Sequence, residues 1–285
     1  MTTTISSEGF QATIKHFGAE LISLKNHDNT EYLWDGNPEF WGKHSPILFP
    51  IVGTLKDNKF QYDGGSYTLS RHGFARDMEF ECEKVTAASA SFVLKSNAET
   101  LKKYPFQFLL RIVYTLSGPN LEIAYEVENH TNSEMYFSIG AHPAFALPGN
   151  FEDYSLAING VDALKSFTLQ NDLISGETKT TKIDGGKLPL DYTLFEQDAL
   201  ILKDVQFDAI TILKNDKPLL NVHFPSFPDL GLWTKPNAPF LCIEPWFGYS
   251  DTSDSTGRIE EKPGIVTLGS NETFAAKFNI EIIHD

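Results

Sequence analysis

Three polar clusters interrupt an otherwise apolar, strand-patterned chain, and each holds a side chain able to bind or move a proton. The first is LSRHGFARDMEF, residues 69–80, where Arg71, His72, Arg76 and Asp77 crowd around Gly73. The second is SIGAHPAFALP, residues 138–148, where His142 stands among apolar and small residues with Pro143 directly behind it. The third is APFLCIEPWFGYSD, residues 238–251, where Glu244 ends the apolar run Phe240-Leu241-Cys242-Ile243 and precedes Pro245-Trp246-Phe247. An imidazole that titrates near neutral pH and a carboxyl whose pKa rises on burial are the parts of a general acid–base pair. Each cluster also has a plain structural reading: a charged surface loop, a histidine satisfied by a backbone carbonyl, a salt bridge. The case for chemistry lies in their company, two histidines and one carboxylate, each expected near a strand end with aromatic rings adjacent.

Other chemistries find less support. No HExxH or paired CxxC spacing occurs, so neither a metal site nor a cofactor is expected. There is no GxSxG nucleophile elbow for a Ser–His–Asp triad. No GxGxxG or phosphate-loop glycine pattern appears either.

The elements that must position these groups are strands. In FQFLLRIVYTL, Phe106, Phe108, Leu110, Ile112, Tyr114 and Leu116 fall on one face; SGPN then turns the chain into LEIAYEVEN. That is a hairpin with one wet side. KFQYDGGSYTL is a second, turning at Asp63-Gly64-Gly65, and AITILKNDKPLLNVHF a third, turning at Asn215-Asp216. Helical pattern is confined to residues 97–103 and a short turn over Asn37–Trp41. The pattern predicts roughly 15 to 20 strands. That many antiparallel strands split into two packed sheets, so the expected fold is all-β, one large antiparallel β-sandwich spanning residues 1–285.

With 285 residues the chain can bury a large core, and all-β domains of roughly 200–250 residues often form one unit. Aromatics make up 13%, which suits strands and also suits stacking on the apolar faces of sugars. The net charge of −15 repels phosphate backbones and anionic lipids, so nucleic acid and membrane partners are not expected. Two cysteines, Cys82 and Cys242, make no disulfide framework. The N-terminal stretch lacks the basic start and apolar core of a secretory leader, and no run is apolar enough for a membrane helix. A cytoplasmic protein is the expectation.

HGFAR at 72–76, GAHPAF at 140–145 and CIEPWFG at 242–248, in this order, resemble the aldose 1-epimerase (galactose mutarotase-like) superfamily. SPILFPIVGTLKD (45–57) and LFEQDALILKD (194–204) resemble its LacX-type branch, so the likeness covers nearly the whole chain. It implies a β-supersandwich and interconversion of the α and β anomers of an aldose without cofactor or metal. By motif it implies that Glu244 is the general base and His142 the general acid. His72 would contact the sugar near its ring oxygen, Asp198 would bind hydroxyls, and Arg76 matches an arginine shared with hexose-6-phosphate epimerases of the superfamily. LacX-like sequences usually carry an arginine where this chain has Thr54. Lys56, two residues on, would replace it if the segment is extended. Trp246 or Phe247, just past Glu244, is expected to line the cleft and stack on the sugar.

Two other readings stay open at this level. One is a hexose-6-phosphate 1-epimerase holding phosphate with Arg76 and with Arg71 or Lys56. The other is a sugar-binding or regulatory protein on the same fold. Because the acid–base pair requires no ion, anomerase activity is expected to survive exhaustive chelation and dialysis. Loss of activity that one divalent ion restores would overturn that expectation.

Overall fold

A computed structural model describes residues 1–283. Short and long strands alternate with turns, and two antiparallel sheets carry most of them. The larger has nine strands, in the order Lys187–Pro189, Tyr154–Ala157, Ala209–Lys214, Lys217–His223, Thr273–Ile282, Asn120–Asn129, Phe108–Ser117, Ser89–Lys95 and Glu81–Val85. The smaller runs Ile139–Gly140, Phe240–Phe247, Asp229–Trp233, Leu200–Leu202, Ala163–Gln170 and Leu173–Lys182, and Ala144–Ala146 also pairs with Phe240–Phe247. The fold is thus the all-β, multi-sheet architecture that the periodicity predicts.

The three expected hairpins form where turn chemistry places them. Phe108–Ser117 pairs with Asn120–Asn129, Lys59–Tyr62 with Gly65–Thr68, and Ala209–Lys214 with Lys217–His223. Asn215 and Asp216 both adopt positive φ, 49° and 63°, as a tight two-residue hairpin turn requires. Among the described residues there are 23 strands, more than expected, because pieces of two to four residues such as Ile139–Gly140 are too short to leave a period in the sequence. Residues 98–103 form the expected helix, capped by Asn97. Asn37–Trp41 is a hydrogen-bonded turn and not a helix: Phe40 and Trp41 both donate backbone N–H to the Asn37 carbonyl.

One hydrophobic cluster lies between the sheets. Leu110, Ile112 and Tyr114 of the nine-stranded sheet share it with Leu230, Leu232, Leu241 and Ile243 of the smaller one. Strand side chains alternate between faces, so Phe240, Cys242, Glu244 and Trp246 point the other way. There, smaller apolar clusters gather around Trp246 and around Phe240 and Cys242. The chemistry-bearing residues therefore sit on the outer face of the smaller sheet, outside the main core. No helix among the described residues is long and apolar enough to cross a membrane.

The strand bearing Glu244 is fastened at its far end by Asp229. This buried carboxylate accepts the Gly248 N–H at 3.0 Å and lies opposite Trp246 in register. Burial raises its pKa from 3.8 to about 6, against the opposing pull of the backbone N–H groups of Gly248 and Asp204. Folded Asp229 thus holds its proton to higher pH than it does unfolded. Its contribution to stability is full below about pH 4 and is lost as pH rises through about 6. Asp229→Asn, which keeps an acceptor for Gly248, is expected to stabilise the protein by about 1–3 kcal/mol near pH 7.5 and by little near pH 4. Urea unfolding of both proteins at the two pH values measures this; an equal difference at both would exclude it.

Candidate active site

Backbone register brings the two central groups together. Gly140 lies opposite Trp246 and Ala144 opposite Cys242, and continuing that register across the gap between them sets His142 opposite Glu244. The ladder is interrupted here because neither Pro143 nor Pro245, on the facing strand, has an N–H to donate, leaving only the bonds from Ala141 N–H to the Pro245 carbonyl and from Ile243 N–H to the Pro143 carbonyl. On the other side, the residue opposite Glu244 is Gly231, which brings no side chain over the carboxyl. The result is a buried pair: His142 Nε2 stands 3.3 Å from Glu244 Oε2. Glu244 is 1% exposed and His142 8%. Neither His142 Nδ1 nor Glu244 Oε2 has a hydrogen-bond partner in the protein. Buried polar atoms left this way are costly, on the order of 1–3 kcal/mol each, and a polar ligand would satisfy them.

His72 arrives from a loop. It adopts positive φ, 67°, and so does Gly73 after it, 71°. Gly73 must be glycine, since a Cβ there would lie 2.3 Å from the Phe49 carbonyl oxygen. Two bonds tie His72 to Gly53: its backbone N–H donates to the Gly53 carbonyl, and its Nδ1 accepts the Gly53 N–H at 3.1 Å. The backbone donor leaves the neutral ring's proton on Nε2. Arg71 Nε–H approaches Nε2 at 3.3 Å. Two donors therefore stand side by side, an arrangement that an oxygen ligand relieves.

These groups open into one cleft of about 280 Å³. Trp41, Trp233 and Trp246 are its aromatic walls, and Arg71, Arg76, Asp198 and Lys235 line it with charge. Trp41 stacks on His142 with ring centres 4.8 Å apart, and Trp233 meets the same ring edge-on at 5.7 Å. Arg71 reaches across the mouth, 3.1 Å from Asp172 and 3.6 Å from Asp198. Arg76 donates to the Arg71 carbonyl at 2.7 Å. A concave, polar-and-aromatic site of this size suits one small polyhydroxyl molecule.

Burial dominates the electrostatics. It pushes the Glu244 carboxyl well above the usual carboxylate range; Arg71 opposes this and Asp198 adds to it. Burial also draws His142 down to about 3, and Arg76 and Arg71 press the same way. His72 is held well below its ordinary value by burial, then by His142, Arg71 and Arg76. Desolvation thus favours the neutral form of all three groups.

Several expectations need correction. Glu244 lies inside the strand Phe240–Phe247, not near its end. Phe247 is on the opposite face from Glu244 and packs in the main core against Phe227 and Phe274, so it does not line the cleft. Lys56 opens a 3₁₀ turn, donates to the Ser255 carbonyl at 3.2 Å, and lines a separate surface hollow. The guanidinium groups at the cleft belong to Arg71 and Arg76. Thr54 is buried, with its backbone N–H donated to Ser250 Oγ and its carbonyl accepting from Asp251. Trp41, Trp233 and Lys235 also line the cleft, and only the packing of segments distant in sequence brings them there. Cys242 stands in no metal-type spacing in the sequence, yet His142, Cys242 and Glu244 offer atoms that lie within 4.8 Å of one another.

The Aldose 1-epimerase family model matches residues 1–280. The chromosomal protein LacX of Lactococcus lactis subsp. lactis is 37% identical over 301 aligned residues, covering 100% of both chains. A galactose mutarotase related enzyme from Lactobacillus acidophilus superposes with a TM-score of 0.95 at 34% identity, covering 100% of this chain and 98% of that one. A galactose mutarotase-like protein from Lactobacillus casei gives a TM-score of 0.91 at 30% identity, with 99% and 100% covered.

Trp246 owes its seat to two glycines. A Cβ on Gly231 would come within 2.5 Å of its ring, and one on Gly140 within 2.4 Å. Its indole N–H donates to the Ala141 carbonyl at 3.2 Å. Gly231→Ala is therefore expected to cost about 1–3 kcal/mol through overpacking and to shift tryptophan emission. Chemical denaturation followed by fluorescence tests this; unchanged stability and emission would mean the ring is not seated between the two glycines.

Proposed function

The chain belongs to the aldose 1-epimerase family, and from that premise we propose that it interconverts the α and β anomers of a free hexose by general acid–base ring opening. The observation that carries this reading is the 3.3 Å approach of His142 Nε2 to Glu244 Oε2 on the wall of a polar, aromatic cleft. The two oxygens that must exchange a proton, the anomeric hydroxyl and the ring oxygen, are borne on one carbon. Two groups this close can address both at once.

Glu244 takes the proton of the anomeric hydroxyl while His142 gives one to the ring oxygen, and the bond from that oxygen to the anomeric carbon breaks. The open-chain aldehyde turns about its first carbon–carbon bond. Closure on the opposite face of the carbonyl reverses both transfers. The pair holds one proton throughout: on His142 with the ring closed, on Glu244 with the ring open. Burial favours the second arrangement, in which both groups are neutral, and so stabilises the open-chain half of the cycle. Arg71, which favours the Glu244 carboxylate, supports the first. His72 Nε2–H and Arg71 donate to ring substituents, Asp198 accepts from hydroxyls, and the indoles of Trp41, Trp233 and Trp246 cover the apolar faces of the sugar. An unphosphorylated hexose is favoured because Arg71 already faces two carboxylates at the mouth, which would repel a phosphate.

Glu244→Gln keeps the shape of the side chain and removes the base; His142→Asn removes the acid. Each is expected to lower kcat at least about 10²-fold, or roughly 2.7 kcal/mol of barrier, without loss of folding. Polarimetry of freshly dissolved α-glucose and α-galactose, alongside their 6-phosphates, supplies the rates. A folded Glu244→Gln protein retaining more than about a tenth of wild-type turnover would remove Glu244 from the mechanism. A wild type that binds sugar and leaves the spontaneous rate unchanged would make the protein a binder.

A further inference from the structure

Cys242 has no part in the proton transfers above, yet it lies one pleat from Glu244 on the same strand face, fully buried. Its sulfur, a ring nitrogen of His142 and a carboxylate oxygen of Glu244 all lie within 4.8 Å of one another. The side chains of His142 and Glu244 are 10% and 2% exposed, and each presents a buried atom without a hydrogen-bond partner. We propose that His142, Cys242 and Glu244 form a binding site for a thiophilic divalent cation of the zinc class, and that its occupancy excludes sugar from the cleft.

The donor set selects the ion. Thiolate, imidazole and a single carboxylate suit zinc and cadmium, whereas magnesium and calcium call for several oxygen ligands. Zinc bonds of about 2.0–2.3 Å need ligand atoms roughly 3.5 Å apart, so a side-chain adjustment of about an ångström closes the set. Three protein ligands leave the fourth position to a water in the cleft. Binding displaces the thiol proton of Cys242 and the proton shared by Glu244 and His142; both pass to water. Two anionic ligands then balance the charge of the cation, against Arg71 and Arg76 nearby. The binding claim stands on geometry alone; only the exclusion of sugar rests on the function proposed above.

The test uses cadmium as a spectroscopic probe and zinc as the inhibitor. Titrating the folded protein with cadmium should raise the cadmium–thiolate charge-transfer band in the ultraviolet. The band should vanish in Cys242→Ser and in Cys242→Ala and persist in Cys82→Ser. Zinc should inhibit mutarotation competitively with sugar, a chelator should reverse it, and magnesium should not mimic it. Cys242→Ser should weaken zinc inhibition at least about tenfold while leaving metal-free turnover within about twofold. Absence of the band in wild type, its loss in Cys82→Ser, or its persistence in both folded Cys242 variants would each overturn the proposal. If wild type turns over no sugar, the proposed function fails, and the cadmium band still decides the metal site.

Discussion

Side chains alternate along a strand, and in the strand Phe240–Phe247 that alternation separates the apolar core from the chemistry. Leu241, Ile243 and Phe247 face the main cluster between the sheets; Cys242, Glu244 and Trp246 face outward. The strand is paired on both sides and buried on both faces, so its register cannot slip without driving Glu244 into the core. The same register sets His142 opposite Glu244 and Gly231 on the other side of it. Reach, burial and room for a ligand are thus consequences of one pairing.

What that pairing holds is destabilising in isolation. A carboxyl and an imidazole are buried face to face with unmatched atoms, and His72 is kept in a left-handed conformation that non-glycine residues seldom adopt. The surroundings over-determine these positions. Gly53 fixes His72 by two hydrogen bonds, Trp41 and Trp233 box the His142 ring, and Trp246 fills the space that two glycines leave open. Stability spent at the site is recovered in the large core beneath, an exchange common at functional clefts.

Much of this architecture is legible in the sequence because hairpins announce themselves locally. Asp63-Gly64-Gly65 and Asn215-Asp216 mark turns, and the alternation around residues 106–128 marks the central strands. His142, His72 and Glu244 were also visible, as polar interruptions in apolar runs. Other features depend on contacts distant in sequence. Strands of two or three residues have no period, and Asn37–Trp41 satisfies helical composition yet makes a single turn. Trp41 and Trp233 carry no mark of a site in the sequence, because only tertiary packing brings them against His142. Phe247 follows Trp246 by one residue and so falls on the opposite face, a parity that proximity in sequence conceals. Continued extension past Thr54 would carry Lys56 to the same face, but the chain turns at that residue.

The cleft is also built wholly from contacts between distant parts of the chain. Gly53 with His72, the segment around His142 and the strand carrying Glu244 come from widely separated parts of the chain, and no two of them are joined by a local hairpin. Their loop-closure entropy must be met before any contact among them forms. The nine-stranded sheet makes the same demand, since Thr273–Ile282 joins Asn120–Asn129 to Lys217–His223 across long stretches of chain. The cleft is therefore a property of the completed topology: a hairpin such as Phe108–Ser117 with Asn120–Asn129 closes locally, whereas the walls of the cleft meet only when distant segments are brought together.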